Sequence, residues 1–62
     1  MIYKKLEEIH LKMEYANISN NQDKYILSGL LGQYWVRFTY FKSTKVLIVV
    51  NTMTEERLIY QY

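Results

Sequence analysis

The sequence predicts an α+β domain, in which an N-terminal amphipathic helix packs on a three- or four-stranded, mostly antiparallel sheet. Apolar residues first recur at helical spacing, and aromatic and β-branched residues then fill two runs separated by a short polar break. No internal repeat or linker interrupts the chain of 62 residues. We therefore expect residues 1–62 to form a single small domain.

The first predicted element is a helix from Ile2 to Ala16. One apolar stripe runs along it at spacings of 4, 3, 4 and 3, formed by Ile2, Leu6, Ile9, Met13 and Ala16. Asn17 suits the end of this helix, because Asn tolerates the left-handed conformation found there. Residues 17–23 are polar, and we expect them to form a loop.

Two segments fit either secondary structure. Residues 24–32 could form a helix capped at Ser19 and ended by Gly32, or a strand with a bulge at Gly29; we favour the strand, because it leads into strand-like sequence. Residues 52–62 could form a strand around 57–61, or a helix whose capping box starts at Thr52.

The clearest strands are Tyr34–Phe41 and Lys45–Asn51, joined by the polar break at residues 42–44. Val46 to Val50 are apolar on both faces, which is typical of a central strand covered on both sides. On the preceding strand one face carries Tyr34, Val36, Phe38 and Tyr40, and the other carries Trp35, Arg37, Thr39 and Phe41. One helix covers one face, so we expect a second copy, another protein or a second helix to cover the other.

Composition excludes several function classes. The chain has no Cys and no Pro, so disulfides and Cys-based zinc sites are ruled out. A net charge of +2 is too small to indicate nucleic-acid or membrane binding. No signal peptide or membrane-spanning run is visible, so we expect a cytoplasmic protein. Richness in Lys, Asn, Ile, Tyr and Phe, with a single Ala, is typical of an AT-rich bacterial or phage genome.

Candidate catalytic residues are few. Glu7-x-x-His10 places a carboxylate and the only imidazole on one helix face, but a dimetal site needs two more Glu from facing helices. No spacing links Ser19, Ser28 or Ser43 to His10 and Asp23 as a triad. Gly29-x-x-Gly32 matches the backbone clamp of KH-type nucleic-acid-binding domains only in its glycines, since two Leu stand between them. We expect no enzyme activity, no cofactor and no metal site.

The sequence instead predicts a small protein-interaction module that is dimeric and that regulates or inhibits a larger protein. The candidate interface combines a sheet face, two tyrosines at the sheet edge and two residues opposite the helical stripe: Trp35, Arg37 and Phe41; Tyr60 and Tyr62; Leu11 and Tyr15. The alternative is nucleic-acid binding, with bases stacked on Tyr34, Trp35, Phe38, Tyr40, Phe41, Tyr60 and Tyr62 and phosphates bound by Lys24, Arg37, Lys42, Lys45 and Arg57.

Overall fold

One helix is followed by five strands in the computed structural model, which describes residues 2–62. The elements are α1 (Ile2–Leu11), β1 (Glu14–Asn20), β2 (Lys24–Leu31), β3 (Tyr34–Phe41), β4 (Val46–Asn51) and β5 (Arg57–Gln61). The strands form one sheet in the order β1-β2-β3-β4-β5, and all neighbours are antiparallel. The predicted α+β class is confirmed, but the sheet has five strands rather than three or four.

The helix is shorter than predicted. It ends at Leu11 rather than at Ala16, and Asn17, the expected helix end, lies inside β1. After α1 the backbone N–H of Met13 donates to the His10 carbonyl at 3.1 Å, and the chain then turns directly into a strand. The predictions of a long helix and of a loop over residues 17–23 were therefore wrong, since β1 occupies residues 14–20.

A bulge in β1 explains why helical spacing misled the prediction. Between Glu14 and Asn17 strand β1 advances three residues while β2 advances two, from Leu30 to Ser28. Tyr15, at φ 56°, lies within the bulge. Without a bulge, residues three apart would face opposite sides of a strand. Here Met13 and Ala16 both pack against the core, as they would in a helix.

Both ambiguous segments are strands. The favoured strand at residues 24–32 is confirmed as β2, but the bulge expected at Gly29 was wrong, since the bulge lies in β1 opposite it. The strand alternative at 57–61 is confirmed as β5. Asparagines at or beside the supposed capping boxes organise hairpin turns instead. The Asn21 side-chain oxygen accepts the N–H of Asp23 at 2.9 Å, and that of Asn51 accepts the N–H of Met53 at 3.0 Å. Within residues 2–62 there is consequently no second helix to cover the sheet.

The core lies between α1 and one face of the sheet. Its buried members are Ile2, Leu6, Leu27, Phe38, Tyr40 and Leu47. At the N-terminal end of α1 the ring of Tyr3 packs edge-on against Tyr25 and Tyr40, with centroids 5.9 and 5.6 Å away. The helix that the structure describes, α1, is not long and apolar enough to cross a membrane.

Candidate protein-interaction surface

The sheet face away from α1, called here the open face, carries a broad set of apolar side chains. Strand register and alternation assign them to this side. They are Ile26, Leu30, Trp35, Phe41, Val46, Ile48, Val50 and Ile59. In the described chain none of these is buried, although the sequence of β4 is that of a strand covered on both sides. The open face is thus an apolar surface that α1 does not cover.

One row of side chains crosses the open face from β2 to β5 and is apolar except at Thr39. The register pairs Ile26 with Thr39, Thr39 with Ile48, and Ile48 with Ile59, so these residues form one row from β2 to β5. Cross-strand neighbours on one face lie close enough to touch. Contiguous exposed apolar patches of this kind mark interaction sites more often than isolated exposed residues do.

Trp35 and Tyr15 form an aromatic corner of the open face. Their ring centroids are 6.0 Å apart and the rings are tilted by 31°. The backbone of Trp35 is held by Thr52, whose N–H and hydroxyl both donate to the Trp35 carbonyl at 2.9 Å. The Trp35 side chain is 44% exposed. It is therefore an anchored aromatic group that a partner can reach, the side-chain type that dominates binding hot spots.

Positive charge lies on the open face beside the turn between β4 and β5. Val50 on β4 pairs with Arg37 on one side and with Arg57 on the other, which aligns both guanidinium-bearing residues in one row. Both arginines line a hollow of about 380 Å³, together with Thr52 and Glu55. A smaller hollow of about 170 Å³ separates Arg37 from Tyr15. A carboxylate on a partner would find two arginines beside apolar surface here.

The structure brings together only part of the predicted interface. Trp35, Arg37 and Phe41 share the open face, as alternation predicted. Tyr15 belongs to β1 rather than to the helix, and the bulge places its ring beside Trp35. Leu11 is the last residue of α1 and is 80% exposed on the helix side of the sheet.

Tyr60 and Tyr62 also lie away from the open face. Tyr60 pairs with the buried Leu47, which puts its side chain on the helix side. The ring of Tyr62 lies 6.4 Å from that of Tyr60 and beneath the ammonium group of Lys5 of α1, 5.6 Å from it. These tyrosines do not share a surface with Trp35.

The residues predicted to bind nucleic acid also lie on different surfaces. Lys24, Arg37 and Arg57 lie on the open face, whereas Lys45 is in the β3–β4 turn. In the same turn, the ammonium group of Lys42 donates to the Asn20 side-chain oxygen at 2.6 Å and to the Asn21 carbonyl. Among the aromatic residues, Phe38 and Tyr40 are buried beneath α1, and Tyr34 and Tyr60 also face the helix side.

The remaining motifs have structural positions. Residues 2–62 contain no group of three His, Cys, Asp or Glu side chains that could hold a metal ion. Gly29 lies in β2, where an added Cβ would come within 2.9 Å of the Glu14 carbonyl oxygen. Gly32 adopts φ 65° in the two-residue turn between β2 and β3. The two glycines therefore serve close packing and a turn, and do not form one exposed loop.

Sequence reasoning missed three residues of the open face, namely Ile26, Leu30 and Ile59. Their signal was the alternation in β2 and β5, which could be used only if both ambiguous segments were taken as strands. It also missed a groove of about 490 Å³ on the helix side, where α1 does not reach. Leu31, Tyr34, Val36, Val49 and Leu58 contribute to its lining.

The chain matches no protein-family model, and neither the curated proteins nor the solved structures compared with it contain a match.

Proposed function

We propose that this protein is a non-enzymatic interaction module that binds a larger protein through its open face and regulates or inhibits it. The observation that carries the proposal is the uncovered apolar face itself, with the anchored Trp35 at one corner. Folding leaves this area in contact with water, so its burial by a partner is a source of binding free energy. We propose that the protein acts in the bacterial cytoplasm and is encoded by a bacterial or a phage genome.

The chemistry of the open face favours a particular kind of partner surface. Six of its side chains are aliphatic, namely Ile26, Leu30, Val46, Ile48, Val50 and Ile59, which suits an apolar protein surface. The pair Arg37 and Arg57 adds positive charge beside the β4–β5 turn, and Glu55 in the same hollow offsets only one of the two. The proposed partner therefore presents an apolar patch with a carboxylate that enters between the arginines.

Binding of a single-stranded nucleic acid is the second candidate. The three basic residues Lys24, Arg37 and Arg57 on the open face favour it. Base stacking also needs exposed aromatic planes. Of the aromatic residues predicted to stack, Trp35 and Phe41 are the two on the open face, and Phe41 is half-buried. The protein partner is therefore the better fit.

The proposal is tested by capture from a nuclease-treated lysate of the source organism with three immobilised baits. These are the natural protein, the double variant Trp35→Ala/Phe41→Ala, and Tyr34→Ala as the matched control. Tyr34 is next to Trp35 on β3 and is 54% exposed, but it faces the helix side. We expect the natural protein and the Tyr34 variant to retain the same protein and the double variant to lose it.

Each bait is first checked by circular dichroism, so that loss of binding is separated from loss of fold. Retention by all three baits, or by none, contradicts the proposal. A labelled oligo(dT) and a labelled oligo(U) are titrated in parallel over a series of salt concentrations. Saturable binding that weakens steeply with salt and is lost in the double variant would move the nucleic-acid function to first place.

A further inference from the structure

Strand β5 leaves one backbone edge of the sheet free. The N–H of Asn51 donates to the Glu56 carbonyl at 2.9 Å, and the N–H of Tyr62 donates to the Lys45 carbonyl at 2.8 Å. In an antiparallel ladder the bonded residues alternate, so the even-numbered residues of β5 bond to β4. The N–H and C=O groups of Arg57, Ile59 and Gln61 consequently point away from the sheet. An edge of this kind is a template for another strand.

The other edge strand of the sheet, β1, is protected against pairing with a further strand. Its bulge at Tyr15 interrupts the regular ladder, and bulges twist an edge away from further pairing. At the far end of β1 the side chain of Asn20 holds the ammonium group of Lys42. Strand β5 has neither a bulge nor such a side-chain contact. Its register with β4 is regular over all of Arg57–Gln61, and Ile59 at its centre is 68% exposed.

We propose that two copies of this chain pair through β5, antiparallel and centred on Ile59, to form one continuous ten-stranded sheet. The outward-pointing groups of the two strands then face each other, giving about six backbone hydrogen bonds between the copies. Ile59 lies opposite Ile59, Leu58 opposite Tyr60, and Arg57 opposite the neutral Gln61. No like charges face each other, and every apolar residue meets another apolar residue.

The pairing also extends the open face across the dyad. The row that runs through Ile48 and Ile59 in one copy continues into Ile59 and Ile48 of the second. A pairing shifted by two residues would place Ile59 opposite Arg57 in one direction or opposite Gln61 in the other, and either shift would shorten the overlap. The centred register is therefore the one that the side chains of β5 favour. This inference does not rest on the proposed function, since it concerns the backbone edge and leaves Trp35 uncovered.

The first test measures the mass of the natural protein by sedimentation equilibrium from micromolar to millimolar concentration. We expect a reversible monomer–dimer equilibrium. Ile59→Lys puts two lysines opposite each other, and the dissociation constant of the dimer should rise about tenfold or more. Ile59→Thr, which keeps β-branching without charge, should dimerise more strongly than the lysine variant. A natural protein that stays monomeric throughout overturns the proposal.

The second test fixes the register by crosslinking. The chain contains no Cys, so a single introduced thiol reports unambiguously. Opposed residues in a bonded antiparallel pair have Cα atoms about 5.5 Å apart, within the range that a disulfide bridges. Ile59→Cys should therefore form a covalent dimer under mild oxidation at a concentration where sedimentation finds the natural protein dimeric. Gln61→Cys on the same strand should not, because it lies opposite Arg57.

A crosslink through Gln61→Cys but not through Ile59→Cys overturns the centred register. The double variant Trp35→Ala/Phe41→Ala distinguishes this inference from the proposed function. It should lose the captured protein but keep the natural dissociation constant of the dimer. If it loses dimerisation as well, while remaining folded by circular dichroism, the copies associate through their open faces and the pairing of β5 is wrong.

Discussion

Tyr15 and Gly29 together decide how β1 joins the sheet. Tyr15 adopts φ 56°, an uncommon conformation for a residue with a side chain, and it lies in the bulge that lets Ala16 turn towards the core. Opposite the bulge, Gly29 leaves the space that the backbone of β1 occupies. An ideal Cβ on Gly29 would lie 3.0 Å from Cα of Ala16 and 2.9 Å from the Glu14 carbonyl oxygen. The bulge and the glycine therefore depend on each other.

We expect Gly29→Ala to lower the free energy of unfolding by about 1–3 kcal/mol, because the atoms that it would meet include backbone and cannot move aside cheaply. Gly29→Asn should cost at least as much. At Gly32, where nothing lies within 4 Å and only φ 65° limits substitution, the order should reverse. There Ala should cost about 1–2 kcal/mol and Asn less, since Asn tolerates this conformation.

Urea unfolding of the four variants measures these differences. Equal stability of Gly29→Ala and the natural protein would mean that β1 does not approach β2 as closely as described. The same order of Ala and Asn at both positions would mean that one physical cause acts at both glycines.

The sheet face on which a residue lies was predictable where the pattern of a single strand was enough to assign it. Alternation along β3 correctly placed Trp35, Arg37 and Phe41 on one face and Phe38 on the other. It could not relate Tyr60 to Trp35, because their relative orientation depends on registers across two strand pairs. The bulge at Tyr15 was beyond sequence reasoning, since no glycine or Asn marks the positive φ.

Among the elements, α1 shows why the period of an apolar pattern does not by itself determine where a helix ends. The stripe of Ile2, Leu6 and Ile9 was correctly assigned to a helix. Its continuation through Met13 and Ala16 fitted the same period only because of the bulge. The resulting loss of β1 is what reduced the expected sheet to three or four strands. Strands β2 and β5 were left open because short segments of this length satisfy both periodicities.

The packing of α1 leads to a matched pair of predictions. Leu6 is 1% exposed in the centre of the core, whereas Leu11 on the same helix is 80% exposed. Leu6→Ala should lower the free energy of unfolding by about 2–5 kcal/mol through lost burial and the cavity left behind. Leu11→Ala should change it by about 0.5 kcal/mol or less, since Ala is the better helix former and no packing is lost.

Thermal and urea unfolding followed by circular dichroism compare the two variants. For a domain of this size the Leu6 loss is comparable to the whole stability, so complete unfolding of that variant agrees with the prediction. Similar effects of both substitutions would contradict the position of α1 on the sheet.

The molecule as a whole is a sheet with one covered face and one uncovered face. A single helix of ten residues buries its stripe against β2, β3 and β4. The strand that sequence alone marks as central, β4, has only half-buried side chains on its second side. The apolar patterns of β3 and β4 together predicted that one helix would leave a sheet face uncovered. Whether another part of the chain would cover that face was not predictable, because the answer depended on the secondary structure of the two ambiguous segments. Since both are strands, the described chain adds area to the open face and nothing to cover it.

The accessibility of Trp35, the only tryptophan, reports directly on the open face. Acrylamide quenching of its fluorescence is measured over the concentration range used for sedimentation. We expect efficient quenching that stays constant as the dimer forms, because pairing through β5 leaves Trp35 in solvent. Weak quenching at every concentration, or quenching that falls in step with the rise in mass, would show that this face is covered in the free protein and would contradict the account.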